Sequence, residues 1–322
     1  MRRREFISLL GCALTIWPLA AAAQQPVIGF LGGATPEEYE IRLRAFREGL
    51  KDAGYVEGQN VSVQYRWTQG RNEQLPTLAA ELVRTQIGVL VAGGGTAAAL
   101  AAKAATATIP IVFAVAVDPV SIGLVPSLNR PGGNLTGVTN LNVDMGPKRL
   151  ELLRQLIPKA KIIALLINPT NPALADPYME TTKAAASGLG LQLQILQARN
   201  DREIESAFSS LMADAVLVAP DVFFTSRTEQ LAALSLRYKV PTIYQYRPFP
   251  AAGGLVSYGS DEREYYYLVG VYAGRILKGD KPADLPVQRS TKVELIINLK
   301  TAKTLGINVP LDLIGRADEI IE

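Results

Sequence analysis

A chain of 322 residues in which 48% of the side chains are hydrophobic can bury the cores of two ordinary domains. Its 33 basic side chains stand against 30 acidic ones, so there is no basic field to hold nucleic acid and no acidic tail. Histidine is absent and cysteine occurs once, at Cys12, which leaves no Ser-His-Asp triad, no imidazole base and no zinc site of the usual His/Cys type.

The first residues, "MRRREFISLLGCALTIWPLAAAAQQP", combine a basic start, an apolar stretch from Phe6 to about Leu19 and a small-residue end. The stretch is broken by Gly11 and Pro18 and is shorter than the roughly 20 residues of a spanning helix. We read residues 1–23 as an export signal cleaved after Ala23, of the twin-arginine type from Arg3, Arg4, Phe6 and Ile7, with an ordinary Sec signal or an uncleaved anchor helix as the alternatives. Leu9, Leu10, Gly11 and Cys12 resemble a lipoprotein box, but the apolar run ahead of Cys12 is too short, so a lipid anchor is the lesser alternative. Cleavage removes the only thiol and leaves 30 basic against 29 acidic side chains, the balance of an exported carrier of small molecules.

From Pro26, short apolar strands alternate with amphipathic helices, the pattern of a mainly parallel sheet covered by helices. Strands are expected at residues 27–31, 61–66, 89–92 and 111–116, with helices at 36–53, 73–85 and 96–105. The order then starts again: strands at 162–167, 191–197, 215–219 and 242–246, and helices at 177–189, 201–212 and 225–238. "GVLVAGGGTAAALAA" parallels "AVLVAPDVFFTSRTEQLAAL", and "TIPIVFAV" parallels "KVPTIYQY", at an offset between about 127 and 135 residues, too long for a solenoid period. The fold class is therefore α/β, with two doubly wound Rossmann-like lobes joined by a multi-strand hinge. Lobe 1 is assigned residues 24–138 and about 254–280, and lobe 2 residues 139–253 and about 281–322, with a return crossing near Pro250 to Gly254.

Ligands of open parallel sheets sit outside the carboxyl ends of the strands. That rule nominates "GGAT" (32–35), "GGGT" (93–96) and "VDP" (117–119) in the first lobe, and "NPTNP" (168–172), "PDVFF" (220–224) and "QYRPF" (245–249) in the second. The glycine loop before Thr96 is no nucleotide motif. It lacks the lysine of a P-loop, since the first lysine is Lys103, and the third glycine of a dinucleotide fingerprint is missing at Ala98. No cofactor, metal or catalytic residue is expected. Glycines followed by a helix start still suit a single carboxylate, so Gly94, Gly95 and Thr96 are candidate contacts, with Thr96 as a plain helix cap the alternative.

Asp118 and Asp221 follow strands and are candidates for a ligand ammonium, unless each merely caps a turn. Thr35 and Asn168 stand at further strand ends, the latter also a turn-making Asn-Pro. Tyr244, Tyr246 and Tyr258 lie near the expected hinge and cleft mouth, where packing is the alternative role. Tyr265, Tyr266 and Tyr267 read as a helix face and are not nominated.

The segments "RRREFISLLG", "VIGFLGG", "LRAFREGLKDAGYVEGQNVSVQYRW", "VDPVSIGLVPSLNRPGGNLTGVT", "LINPTNP" and "ADEII" occur in this order over nearly the whole chain. In combination they resemble the ABC-transporter substrate-binding proteins of the tryptophan-binding TrpX-like group. The resemblance implies a type I periplasmic-binding fold whose lobes close on a ligand and dock on an inner-membrane ABC permease. It implies a periplasmic, monomeric protein that takes a small carboxylate-bearing ligand, an aromatic or apolar amino acid or a related acid. A receptor that presents its ligand to a membrane signalling protein is the alternative, and an enzyme on the same scaffold a more remote one.

Overall fold

The computed structural model describes residues 25–140 and 142–322. The export signal expected over residues 1–23, with its paired arginines and Cys12, lies outside them.

The chain begins with β1 (Val27–Gly32), α1 (Glu40–Asp52), β2 (Ser62–Trp67), α2 (Leu75–Arg84), β3 (Val89–Ala92), α3 (Thr96–Ala105), β4 (Ile111–Val115) and β5 (Leu135–Thr139). It continues through α4 (Gly146–Leu156), β6 (Ile162–Ile167), α5 (Pro172–Gly188), β7 (Gln192–Gln197), α6 (Asp201–Ser209), β8 (Ala215–Val218), α7 (Val222–Thr225), α8 (Thr228–Arg237), β9 (Thr242–Tyr244) and α9 (Pro248–Ala251). It ends with β10 (Val256–Ser260), α10 (Glu262–Leu277), β11 (Gln288–Arg289), β12 (Val293–Asn298), α11 (Leu299–Thr304), α12 (Leu311–Arg316) and β13 (Glu319–Ile321).

Two sheets result. The first has the order β11-β5-β4-β3-β1-β2 and is parallel throughout. The second, β13-β12-β10-β9-β8-β6-β7, is parallel except where β10 meets β12. Covered on both faces, their central strands are apolar at nearly every position. In β3 the period of two sends Val89 and Val91 into one core layer and Leu90 and Ala92 into the opposite one.

Helix α5 starts five residues earlier than expected. Pro172 occupies its first turn, where a missing N–H costs nothing, and Pro177 lies inside the helix. The larger departures are in the last third. Residues 256–260, expected in lobe 1, form β10 of the second sheet, and residues 288–289, expected in lobe 2, add β11 to the first. Pro250 to Gly254 is no crossing but the end of α9 and the turn into β10, with Gly253 at φ +100°. The chain returns to the first lobe only at Asp261, because α10 belongs against α1. Gly49 and Gly270 let the two backbones meet so closely that a methyl on either would strike a carbonyl of the other helix.

The chain therefore passes between the sheets three times, after β5, between β10 and α10, and between β11 and β12. The passages are bonded to one another: Asn142 Nδ2 donates to Ser260 Oγ at 3.2 Å, Asp261 N to Lys292 O at 3.0 Å and Ser290 N to Thr139 O at 2.9 Å. Buried Arg149 fixes this bundle to the second lobe. Its Nη2 donates to Asn142 Oδ1 at 2.9 Å and its Nε to Tyr258 O at 2.8 Å.

Candidate functional site

A cavity lies between the lobes, bounded by the carboxyl ends of β3 and β4 on one side and β8 and β9 on the other. The lobes are closed around it. Val222, on the second lobe, presses on the glycine loops of the first: a methyl built on Gly33 would lie 2.8 Å from one Val222 methyl, and one on Gly95 3.1 Å from the other. At the cleft edge Asn72 Nδ2 donates to Thr170 Oγ1 at 3.4 Å.

On the first lobe, Gly95 precedes α3 with φ +82°, a conformation that suits glycine and brings bare backbone to the cavity. The loop is held from behind, because the Gly93 carbonyl accepts from the hydroxyls of Tyr39 at 3.2 Å and Tyr266 at 2.7 Å. Thr96 is the first helical residue rather than the cap, and its side chain caps nothing. It is 1% exposed, it lines the cavity, and its Oγ1 has no hydrogen-bond partner. The amides of Thr96, Ala97 and Ala98 precede the first bond of the helix, from Ala99 N to Gly95 O. This wall therefore presents donors and the positive end of a helix.

The second lobe presents an acceptor. Asp221 stands before α7, where its Oδ1 accepts from Phe223 N at 2.9 Å and from Asn168 Nδ2 at 3.0 Å, while Oδ2 accepts from Asn171 Nδ2 at 2.9 Å. Burial holds its carboxyl above the ordinary value of 3.8 despite these three donors. Tyr244 lies behind it, its hydroxyl 3.0 Å from the Asp221 carbonyl. Tyr246 reaches the cavity itself. Its hydroxyl accepts from the hinge residues Asn140 and Asn142 at 3.2 Å each, and burial pushes its pKa up to about 12.

Tyr265 and Tyr266 of α10 close the remaining side, their hydroxyls donating to Val115 O and Gly93 O at 2.9 and 2.7 Å. Arg42 lies 4.5 Å from the Tyr39 ring centroid and 5.6 Å from that of Tyr266, and pairs with Glu262 at 2.6 Å in a buried bridge between α1 and α10.

Of the residues nominated from sequence, Gly95, Thr96, Asp221 and Tyr246 line this cavity, and Asn168 and Tyr244 support Asp221 from behind. The other four do not line it. Asp118 is exposed and caps its own turn, accepting from Val120 N at 2.9 Å. Thr35 likewise pairs with Glu38 in the turn before α1. Gly94 is buried against the Gly33 backbone, and Tyr258 packs on the second lobe's core. The nominations missed Arg42, Asn171, Thr225, Gln245, Tyr265 and Tyr266. Asn171 and Gln245 lay inside nominated loops; Arg42 lies on the expected first helix rather than at a strand end, and Tyr265 and Tyr266 arrive on α10, which reaches α1 only through the hinge. Among the described residues, no three Asp, Glu, His or Cys side chains gather as a metal site would require.

A family model described as ABC transporter substrate binding protein matches residues 35–321. The sequence is 30% identical to the tyrosine-binding protein of Clostridioides difficile (strain R20291) over 267 residues, 82% of this chain and 76% of the relative. Among solved structures it is similar to one described as the ABC domain in complex with L-Trp from Streptococcus pneumonia, at 27% identity and TM-score 0.83 over 92% of this chain and all of the other. A ligand-free, open substrate binding protein with adhesive properties from Clostridium difficile is 25% identical with TM-score 0.64 over 92% of this chain and 99% of the other. The two-lobed architecture is that of type I periplasmic binding proteins.

Proposed function

Because the chain belongs to the ABC transporter substrate-binding protein family, we propose that its inter-lobe cavity captures an amino acid with an aromatic or apolar side chain, or a related acid. One observation carries this reading. The unpaired, buried Thr96 hydroxyl at the start of α3 and the buried Asp221 carboxylate stand on different lobes and line one cavity. A carboxylate satisfies the first wall and an ammonium the second, so a ligand bearing both bridges the closed lobes.

The relatives support the choice, one being a tyrosine-binding protein and another a structure with L-Trp bound. So do the rings of Tyr246, Tyr265 and Tyr266 around the cavity. The stronger overlay on the Trp complex than on the open form fits the closed lobes, although the two identities are similar. In this reading the exported protein works as a periplasmic monomer that delivers its ligand to an ABC permease. Among the described residues, no helix is long and apolar enough to cross a membrane.

Isothermal titration and thermal shift of the mature protein against a panel of amino acids and aromatic acids test the reading. At least one aromatic or apolar amino acid should raise the melting temperature. If none does, this ligand class is wrong.

A further inference from the structure

Gln245 follows β9 directly, is 3% exposed and lines the cavity, yet its Oε1 has no hydrogen-bond partner. The orientation of its amide is fixed by three oxygens behind it. Thr225 Oγ1 lies 2.9 Å from the Asp221 carbonyl, Tyr244 Oη 3.0 Å from the same carbonyl, and the two hydroxyls 2.8 Å from each other. Two hydroxyl hydrogens serve these three contacts, so both are used inside the triangle. The hydroxyls can then only accept from Gln245 Nε2, which lies 3.3 Å from each. Turning the amide over would divert one hydrogen and leave two close oxygen pairs with no proton between them. The carbonyl oxygen is therefore an acceptor with nothing to accept, a state that buried polar groups rarely keep without a ligand or water.

A second vacancy lies on the same lobe. Asp221 accepts three hydrogen bonds, and a carboxylate has about four lone-pair positions, so one place is open. The repeat sets Gln245 opposite an apolar twin: aligning "TIPIVFAV" with "KVPTIYQY" puts Ala114 at the matching place in the first lobe, and Ala114 lines the cavity too. Acceptors thus occupy one wall and donors the other. Among the ammonium, hydroxyl and keto groups that the same carbon skeleton could carry beside its carboxylate, only the ammonium donates to two acceptors at once. A hydroxyl donates once and a keto oxygen not at all.

We propose that Gln245 is a specificity-determining residue that, together with Asp221, accepts the ligand ammonium and makes the cavity select the amino acid over the keto, hydroxy or des-amino acid of the same skeleton; this rests on the amino-acid reading of the cavity above. It narrows that reading, which admits related acids.

Titration calorimetry with L-tyrosine and L-tryptophan, and with 3-(4-hydroxyphenyl)propionate and indole-3-propionate as their des-amino partners, tests the proposal. The wild-type protein should prefer the amino form by at least about 100-fold, as sites with buried groups left unpaired do. Gln245→Met, which keeps length and loses the acceptor, should weaken the amino form by about 10- to 100-fold and the des-amino form by less than about threefold. Gln245→Glu, which keeps an acceptor, should retain the preference, and it decides the matter if the methionine variant does not fold. Equal weakening of both forms by Gln245→Met, or loss of the preference in a folded Gln245→Glu protein, overturns the proposal. Wild-type protein that binds amino and des-amino forms alike overturns it while leaving a carboxylate site in place. Wild-type protein that binds no amino acid removes the underlying reading as well.

Discussion

The Thr96 hydroxyl sharpens what the glycine loop is for. A residue that follows glycines at a helix start is ordinarily read as a cap, but here Gly95 takes the cap position and the hydroxyl is left unpaired in a cavity. Thr96→Val should weaken amino-acid binding by about 1–3 kcal/mol, one hydrogen bond to a charged acceptor, in a calorimetric titration. Asp221 brings a pH dependence. Its carboxyl is held above 3.8 by burial, and only the ionised form attracts an ammonium. Affinity is therefore expected to fall as pH is lowered through a range above 3.8, and Asp221→Asn should flatten that profile. In the ligand-free protein the sign reverses. Folding favours the protonated carboxyl, so the cost of ionising it appears as pH rises through the raised value, and a bound ammonium relieves it. Sequence pointed to Thr96 and Asp221 because each follows a strand. It also pointed to Asp118 for that reason, yet Asp118 meets the amide of Val120 and turns away. Local turn chemistry and ligand chemistry use the same residue types, and the distinction lies in burial, which sequence expresses only weakly.

At the scale of elements, the repeat explains more than the architecture. The alignment of "GVLVAGGGT" with "AVLVAPDVF" makes Gly95 and Val222 counterparts, and the two meet across the cleft. Closure seats the side chain of one repeat where the other has none. Gly33→Ala should oppose closure and weaken binding by about tenfold, roughly 1.4 kcal/mol, and Val222→Ala in the same protein should restore part of the loss, a coupling that a double-mutant cycle reads directly. The joint between α1 and α10 depends on the buried Arg42–Glu262 pair. Glu262→Gln leaves a buried guanidinium without its partner and should cost about 3–5 kcal/mol in urea unfolding. This joint was not legible in sequence, because a two-residue β11 and the antiparallel β12 have no counterpart in the repeat, and α10 returns to a helix more than two hundred residues earlier. With α10 assigned to lobe 1 but to no helix within it, Tyr265 and Tyr266 read as one face of a helix with no assigned neighbour.

At the scale of the whole molecule, the two lobes, their parallel sheets and the position of the cleft were legible, since each depends on strands that carry their own apolar signature. The number and places of the crossings were not. X-ray scattering from the ligand-free protein should show a radius of gyration larger than that of these closed lobes, which an amino acid then reduces; the Gly33→Ala variant should stay expanded at the same ligand concentration. Three crossings bonded side by side define a line, where a single linker would define only a point. Twisting or sliding one lobe on the other would stretch at least one of them, so a single soft coordinate remains, the opening angle. A partner that touches both lobes far from the cleft then senses occupancy as the spacing between two patches of surface, and needs no contact with the ligand to do so.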